Sequence, residues 1–117
     1  QRQHPQLSIE HAQFVARCWG RADGYGRISL CADPRHHRHG PGLYHAEDAN
    51  AVWREVTADT LFIDAELSQF QMPPEMRAAR VDCFRRHTVD VLAEAGHMLH
   101  FDAPVETAQR IAAFLDA

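Results

Sequence analysis

Thr88-Val89-Asp90-Val91-Leu92, then Ala95-Gly96-His97-Met98-Leu99-His100, then Pro104, is the run of sequence on which the fold turns. The first five residues are β-branched or apolar enough to read as a strand, and Gly96 breaks the run where the chain must turn. Pro104 opens a segment in which Val105, Ala108, Ile111, Ala112 and Leu115 recur at helical spacing. A strand, a Gly-His loop and a closing helix make one unit, and the loop carries an imidazole just beyond a buried strand. Imidazole both takes and returns a proton near neutral pH, so His97 is the candidate for proton transfer.

Working upstream, Leu61-Phe62-Ile63 is a continuous apolar run within residues 56–66, as expected of a strand covered on both faces. Pro73-Pro74-Glu75 starts a helix in which Met76, Ala79, Arg80, Cys83 and Phe84 are spaced to meet the sheet. Two strands separated by a helix imply a parallel pair joined by a right-handed crossover, which is α/β architecture. Such a pair is not a whole sheet. The free edge of strand 60–64 carries unpaired backbone groups, and pairing with another copy through it makes a non-catalytic interaction module the competing expectation.

The first half reads as helix and connector. Ser8 is an N-cap before Ile9, Ala12, Phe14, Val15 and Cys18, and that helix ends near Gly20. Asp23-Gly24-Tyr25-Gly26 is a turn, Arg27-Ile28-Ser29-Leu30-Cys31-Ala32 is briefly extended, and Asp33-Pro34 ends it. Arg35-His36-His37-Arg38-His39-Gly40-Pro41-Gly42 is a polar, helix-breaking connector. Helical spacing returns over residues 46–56, with Ala49, Val52, Trp53 and Val56 on one face.

Composition narrows the function. The net charge of −4 argues against nucleic acid as main partner. All 12 basic residues are arginine, so lysine Schiff-base chemistry is excluded. No apolar run approaches the roughly 20 residues of a membrane span, and residues 1–5 carry no signal-peptide pattern. Three cysteines, odd in number and widely spaced, form neither a disulfide framework nor a zinc pattern, so a reducing cytoplasm is expected and Cys18 and Cys83 read as packing residues. His36, His37 and His39 lack a carboxylate or cysteine at ligand spacing and read as a solvated connector rather than a divalent-metal site. No cofactor and no metal centre is expected.

Taken in order, residues 56–117 resemble the C-terminal end of the α/β-hydrolase superfamily: penultimate strand (residues 56–66), linking helix (residues 73–87), last strand, catalytic-histidine loop and final helix packed on the sheet. Residues 1–55 resemble the partial cap helices and connector that members insert before that strand. The resemblance implies that His97 is the catalytic histidine, acting on a small organic substrate, an ester or an epoxide, with His100 shaping the loop. It also implies a nucleophile elbow, Gly-x-Ser-x-Gly. Neither Ser8, Ser29 and Ser68 nor Cys18, Cys31 and Cys83 lies in such an elbow, and there is no Gly-x-Asp-x-Gly. Because the family order is nucleophile, acid, histidine, the nucleophile is expected upstream of residue 1, and the chain alone is expected to be inactive. Serine upstream would mean esterase or lipase-like chemistry, and aspartate an epoxide hydrolase. The acid also departs from the pattern, since Ser68 stands at its usual position. Three alternatives remain: Asp64 or Glu66 serves from a shifted loop, the acid comes from the end of an earlier strand upstream, or the site is degenerate.

Overall fold

Ser8 starts the first helix as its composition requires: the hydroxyl accepts the His11 backbone N–H at 3.1 Å. The computed structural model describes residues 5–38, 40 and 42–117. Residues 1–4, 39 and 41, which include the chain start and His39 of the connector, lie outside the described residues. The helix α1 (Ile9–Trp19) ends at Gly20. A Cβ on Gly20 would stand 2.7 Å from the Ala16 carbonyl oxygen and 2.9 Å from Ile28 Cγ2, so only glycine lets the next strand cross the helix end. That strand, β1 (Gly20–Ala22), pairs antiparallel with β2 (Ile28–Leu30) around the Asp23–Gly26 turn, where Gly26 takes φ 77°. The turn and β2 match the sequence reading. Strand β1 does not follow from it, because three residues with no apolar alternation carry no period.

A short 3-10 turn (Pro34–His37) and α2 (Ala46–Arg54) lead to the part that matters for function. Strand β3 (Thr60–Ala65) runs parallel to β4 (His87–Leu92), with Phe62 opposite Val89 and Ala65 opposite Leu92. Between them α3 (Pro74–Val81) is shorter than the 73–87 span expected. The chain leaves the helix after Val81 because Phe84 must turn in to meet Phe62, edge to face at 5.0 Å, and Trp53, stacked at 5.9 Å, before β4 begins. After β4 come a one-turn helix α4 (Leu99–Asp102), absent from the sequence reading, and α5 (Pro104–Leu115). The chain is thus α/β, with a parallel strand-helix-strand unit at its centre.

Alternation puts Leu61, Ile63, Ala65, Asp90 and Leu92 on one face of the pair. There Ala65, Leu92 and Ala95 form the core with Ile63, Leu99 and Ala103 against them. Arg110 of α5 reaches Asp90 on the same face at 3.1 Å. The opposite face carries Phe62, with the Arg77 guanidinium 4.8 Å over its ring, and leaves Val89 and Val91 about half exposed. Three expectations are therefore corrected. Leu61-Phe62-Ile63 is half-buried rather than covered on both faces, because two strands are too narrow a sheet for the helices to close over. Cys18, read as packing, is exposed, since α1 buries none of its residues. The apolar stripe on α5, the helix expected to pack on the sheet, faces outward: Val105, Ile111 and Leu115 are exposed, while Ala103 packs against the core, Thr107 donates to the Leu99 carbonyl of α4 and Arg110 reaches Asp90. Cys83, by contrast, is buried as expected and donates its thiol to the Ala79 carbonyl.

The accessible surface reflects these open faces. It is 9619 Å², whereas a closed monomer of 117 residues exposes about 6,500 Å². The radius of gyration, 17.7 Å, likewise exceeds the roughly 13 Å of a closed domain this long. No helix of the described residues is long and apolar enough to cross a membrane.

Candidate functional site

The loops that leave the C-terminal ends of β3 and β4 are sewn together by backbone bonds that continue the parallel ladder. Glu66 N–H donates to the Leu92 carbonyl at 3.0 Å and Leu67 N–H to the Ala95 carbonyl at 2.9 Å. The Glu66 carboxylate then accepts the Glu94 N–H at 3.0 Å. That contact holds Glu94 at φ 56°, the one non-glycine residue with positive φ among the described residues. The sharp bend of the loop is therefore made by Glu94, whereas the sequence reading assigned it to Gly96.

Gly96 has another reason to be glycine. It is buried, its N–H donates to Asp102 Oδ2 at 2.9 Å, and a Cβ there would lie 2.8 Å from that same oxygen. The second oxygen, Asp102 Oδ1, is buried without a hydrogen-bond partner among the described residues. The loop holding His97 is thus fixed from both sides, by Glu66 before it and Asp102 after it.

With the loops joined, His97 meets Ser68. Ser68 N–H closes a turn onto the Ala65 carbonyl at 3.1 Å, and its Oγ accepts the Phe70 N–H at 3.2 Å. His97 Nδ1 lies 3.3 Å from the same Oγ, and the imidazole stands edge to face with the Phe70 ring at 4.6 Å. Both residues border a cleft of about 660 Å³ beyond the strand ends, walled by Ile63, Phe70, Met72, Val91 and Leu99. That volume suits a small organic molecule.

The carboxylates considered as partners of His97 are engaged elsewhere. Asp64 is held by Arg77, whose Nε and Nη2 reach its oxygens at 2.9–3.2 Å. Glu66 is held by the Glu94 amide. The residue at His97 Nδ1 is instead Ser68, which the hydrolase resemblance put where an acid was expected but which the sequence could not bring to the ring without the register of the two loops. The His100 ring lies tilted against Phe101, with centroids 4.1 Å apart. Among the described residues no three His, Cys, Asp or Glu side chains are grouped to hold a metal ion.

Several polar groups of the cleft are paired with one another. Asp64 and Arg77 neutralise each other, and the Gln71 side-chain amide donates to the Glu66 carbonyl at 2.6 Å. An occupant faces those apolar walls together with His97, Ser68 and the Asp64–Arg77 pair. Searches of protein-family models, of curated proteins and of solved structures each return no match to this chain.

Proposed function

We propose that this chain is the C-terminal, histidine-bearing part of an α/β-hydrolase, with the nucleophile supplied by polypeptide outside residues 1–117. The observation that carries the reading is the position of His97: beyond the carboxyl ends of two parallel strands, at the rim of an apolar cleft, with a hydrogen-bonding side chain at Nδ1. Brought beside a serine or aspartate, that imidazole would accept a proton from the nucleophile's hydroxyl or from an attacking water, then return it to the leaving group. The apolar walls and the internally paired charges favour a neutral substrate, an ester in the serine case and an epoxide in the aspartate case.

Two further features support the reading. The outward stripe of Val105, Ile111 and Leu115 on α5 and the half-exposed Val89 and Val91 are the surfaces that further strands and helices of such a sheet would cover. The surface in excess of a closed monomer points the same way. The same exposed valines and the free strand edge favour, as second reading, an interaction module that pairs with another copy.

One comparison separates the two. The chain is expressed with the coding sequence that precedes it and assayed on activated esters and small epoxides, alongside the His97→Ala variant. Turnover should fall by about 10²–10⁴-fold in that variant, the contribution of a positioned general base. A serine-directed covalent probe should label the extended chain of an esterase and not residues 1–117 alone. Near-normal turnover without His97 would remove it from the chemistry, and an inactive extended chain that forms defined dimers would favour the interaction module.

A further inference from the structure

We propose that Ser68 is the positioning residue of His97: its hydroxyl oxygen accepts the ring's Nδ1–H, fixing the tautomer that leaves the lone pair on Nε2. The purpose of that tautomer rests on the hydrolase reading above, but the contact itself belongs to residues 1–117.

The position of the hydroxyl is set before histidine enters. Ser68 closes its own turn onto Ala65, and its Oγ takes the Phe70 N–H at 3.2 Å, which locks the side chain by local bonds alone. A hydroxyl oxygen has two acceptor sites and one proton. Phe70 uses one acceptor site. In the arrangement proposed, Nδ1, at 3.3 Å, donates to the other and the hydroxyl proton turns to solvent. The ring also packs edge to face with Phe70, and its loop is held by the Glu66 and Asp102 contacts. No carboxylate competes for Nδ1, because Asp64 is bound to Arg77 and Glu66 to the Glu94 amide.

Which nitrogen of an imidazole carries the proton is decided by the bond that the other nitrogen makes. A carboxylate only accepts and so imposes Nδ1–H, whereas a hydroxyl can also donate; Ser68 selects the Nδ1–H form only while its own proton is turned to solvent. It also brings no negative charge to stabilise the imidazolium formed when Nε2 accepts a proton. Ser68 is therefore a positioning residue that sets geometry and tautomer without the electrostatic part of the role. Replacing it by aspartate should supply that part.

The test reads the tautomer directly, on the 117-residue chain with 15N-labelled histidine, in buffer alkaline enough for imidazole to be neutral. The His97 signals are assigned by their loss in His97→Gln. The expected spectrum has a protonated Nδ1 and an unprotonated Nε2. In Ser68→Ala the ring should become a mixture of tautomers, whereas Ser68→Thr, which keeps the hydroxyl, should retain the parent form. An Nε2–H ring in the parent, or a ring unchanged in Ser68→Ala, overturns the proposal, and the parent spectrum decides even where a variant fails to fold. In the extended, active enzyme Ser68→Ala should lower kcat with little change in KM, by up to about 10⁴-fold, the loss when a triad imidazole takes the wrong tautomer. Ser68→Asp should match or exceed the parent. An extended chain without activity would remove the hydrolase reading and leave the tautomer result standing; an active enzyme indifferent to Ser68→Ala would remove Ser68 alone.

Discussion

Substituting Gly96 by alanine tests whether the histidine loop is held by the contact described above. The added Cβ would stand 2.8 Å from Asp102 Oδ2 and 2.9 Å from Gln6 Oε1. The Gln6 amide is the end of a flexible, exposed side chain and can move aside. Asp102 Oδ2 cannot move without breaking the bond it accepts from the Gly96 N–H at 2.9 Å. Losing a hydrogen bond to a charged group costs about 1.5–3 kcal/mol. Gly96 is not among the residues with positive φ, so alanine meets no backbone strain there. It should recover about 0.4–1 kcal/mol by narrowing the unfolded ensemble.

The net loss is about 0.5–2.5 kcal/mol, which lowers the melting temperature by about 2–10 °C for an unfolding entropy of about 2.1 cal/mol/K per residue. The assay is thermal unfolding followed by circular dichroism, run as a double-mutant cycle with Asp102→Ala. Once the carboxylate is gone there is nothing for the new methyl to displace, so Gly96→Ala should cost nothing, or stabilise slightly, in the Asp102→Ala background. Equal destabilisation in both backgrounds, or none in the parent, would refute the argument that Gly96 is glycine for Asp102.

Leu92, 4% exposed and packed with Ala65 and Ala95, should cost about 2–5 kcal/mol on substitution by alanine. Urea unfolding measures this, and a loss under about 1 kcal/mol would mean that the cluster beneath the site is not the core. At the other end of the chain, the Arg27 backbone N–H, then its guanidinium, and also the Tyr25 N–H hold the Asp23 carboxyl below the ordinary aspartate value. A lowered folded value means that the carboxylate favours the turn above the ordinary aspartate range and ceases to do so as pH falls through the lowered value. Amide shifts of Tyr25 and Arg27 should therefore move together on acidification, and Asp23→Asn should abolish that movement; shifts that titrate unchanged in the variant would assign the effect elsewhere.

Local chemistry made a large part of this molecule readable from its sequence. The Ser8 cap, the Asp23–Gly26 turn, the proline-led starts of α3 and α5 and the two strands each rest on a few neighbouring residues whose preferences agree. His97 was legible for the same reason, as an imidazole between a strand and a helix. What the tertiary structure alone decided is who meets it. The parallel register that sets Ala65 beside Leu92 carries on into the loops, and through them Ser68 reaches His97, Glu66 takes the Glu94 amide and Asp64 is drawn to Arg77. These partners lie 13 to 29 residues apart, and moving one strand by a single residue would turn every side chain to the other face. The outward stripe of α5 was hidden for a related reason: helical spacing identifies an apolar face, but the width of the sheet beneath determines whether that face is covered.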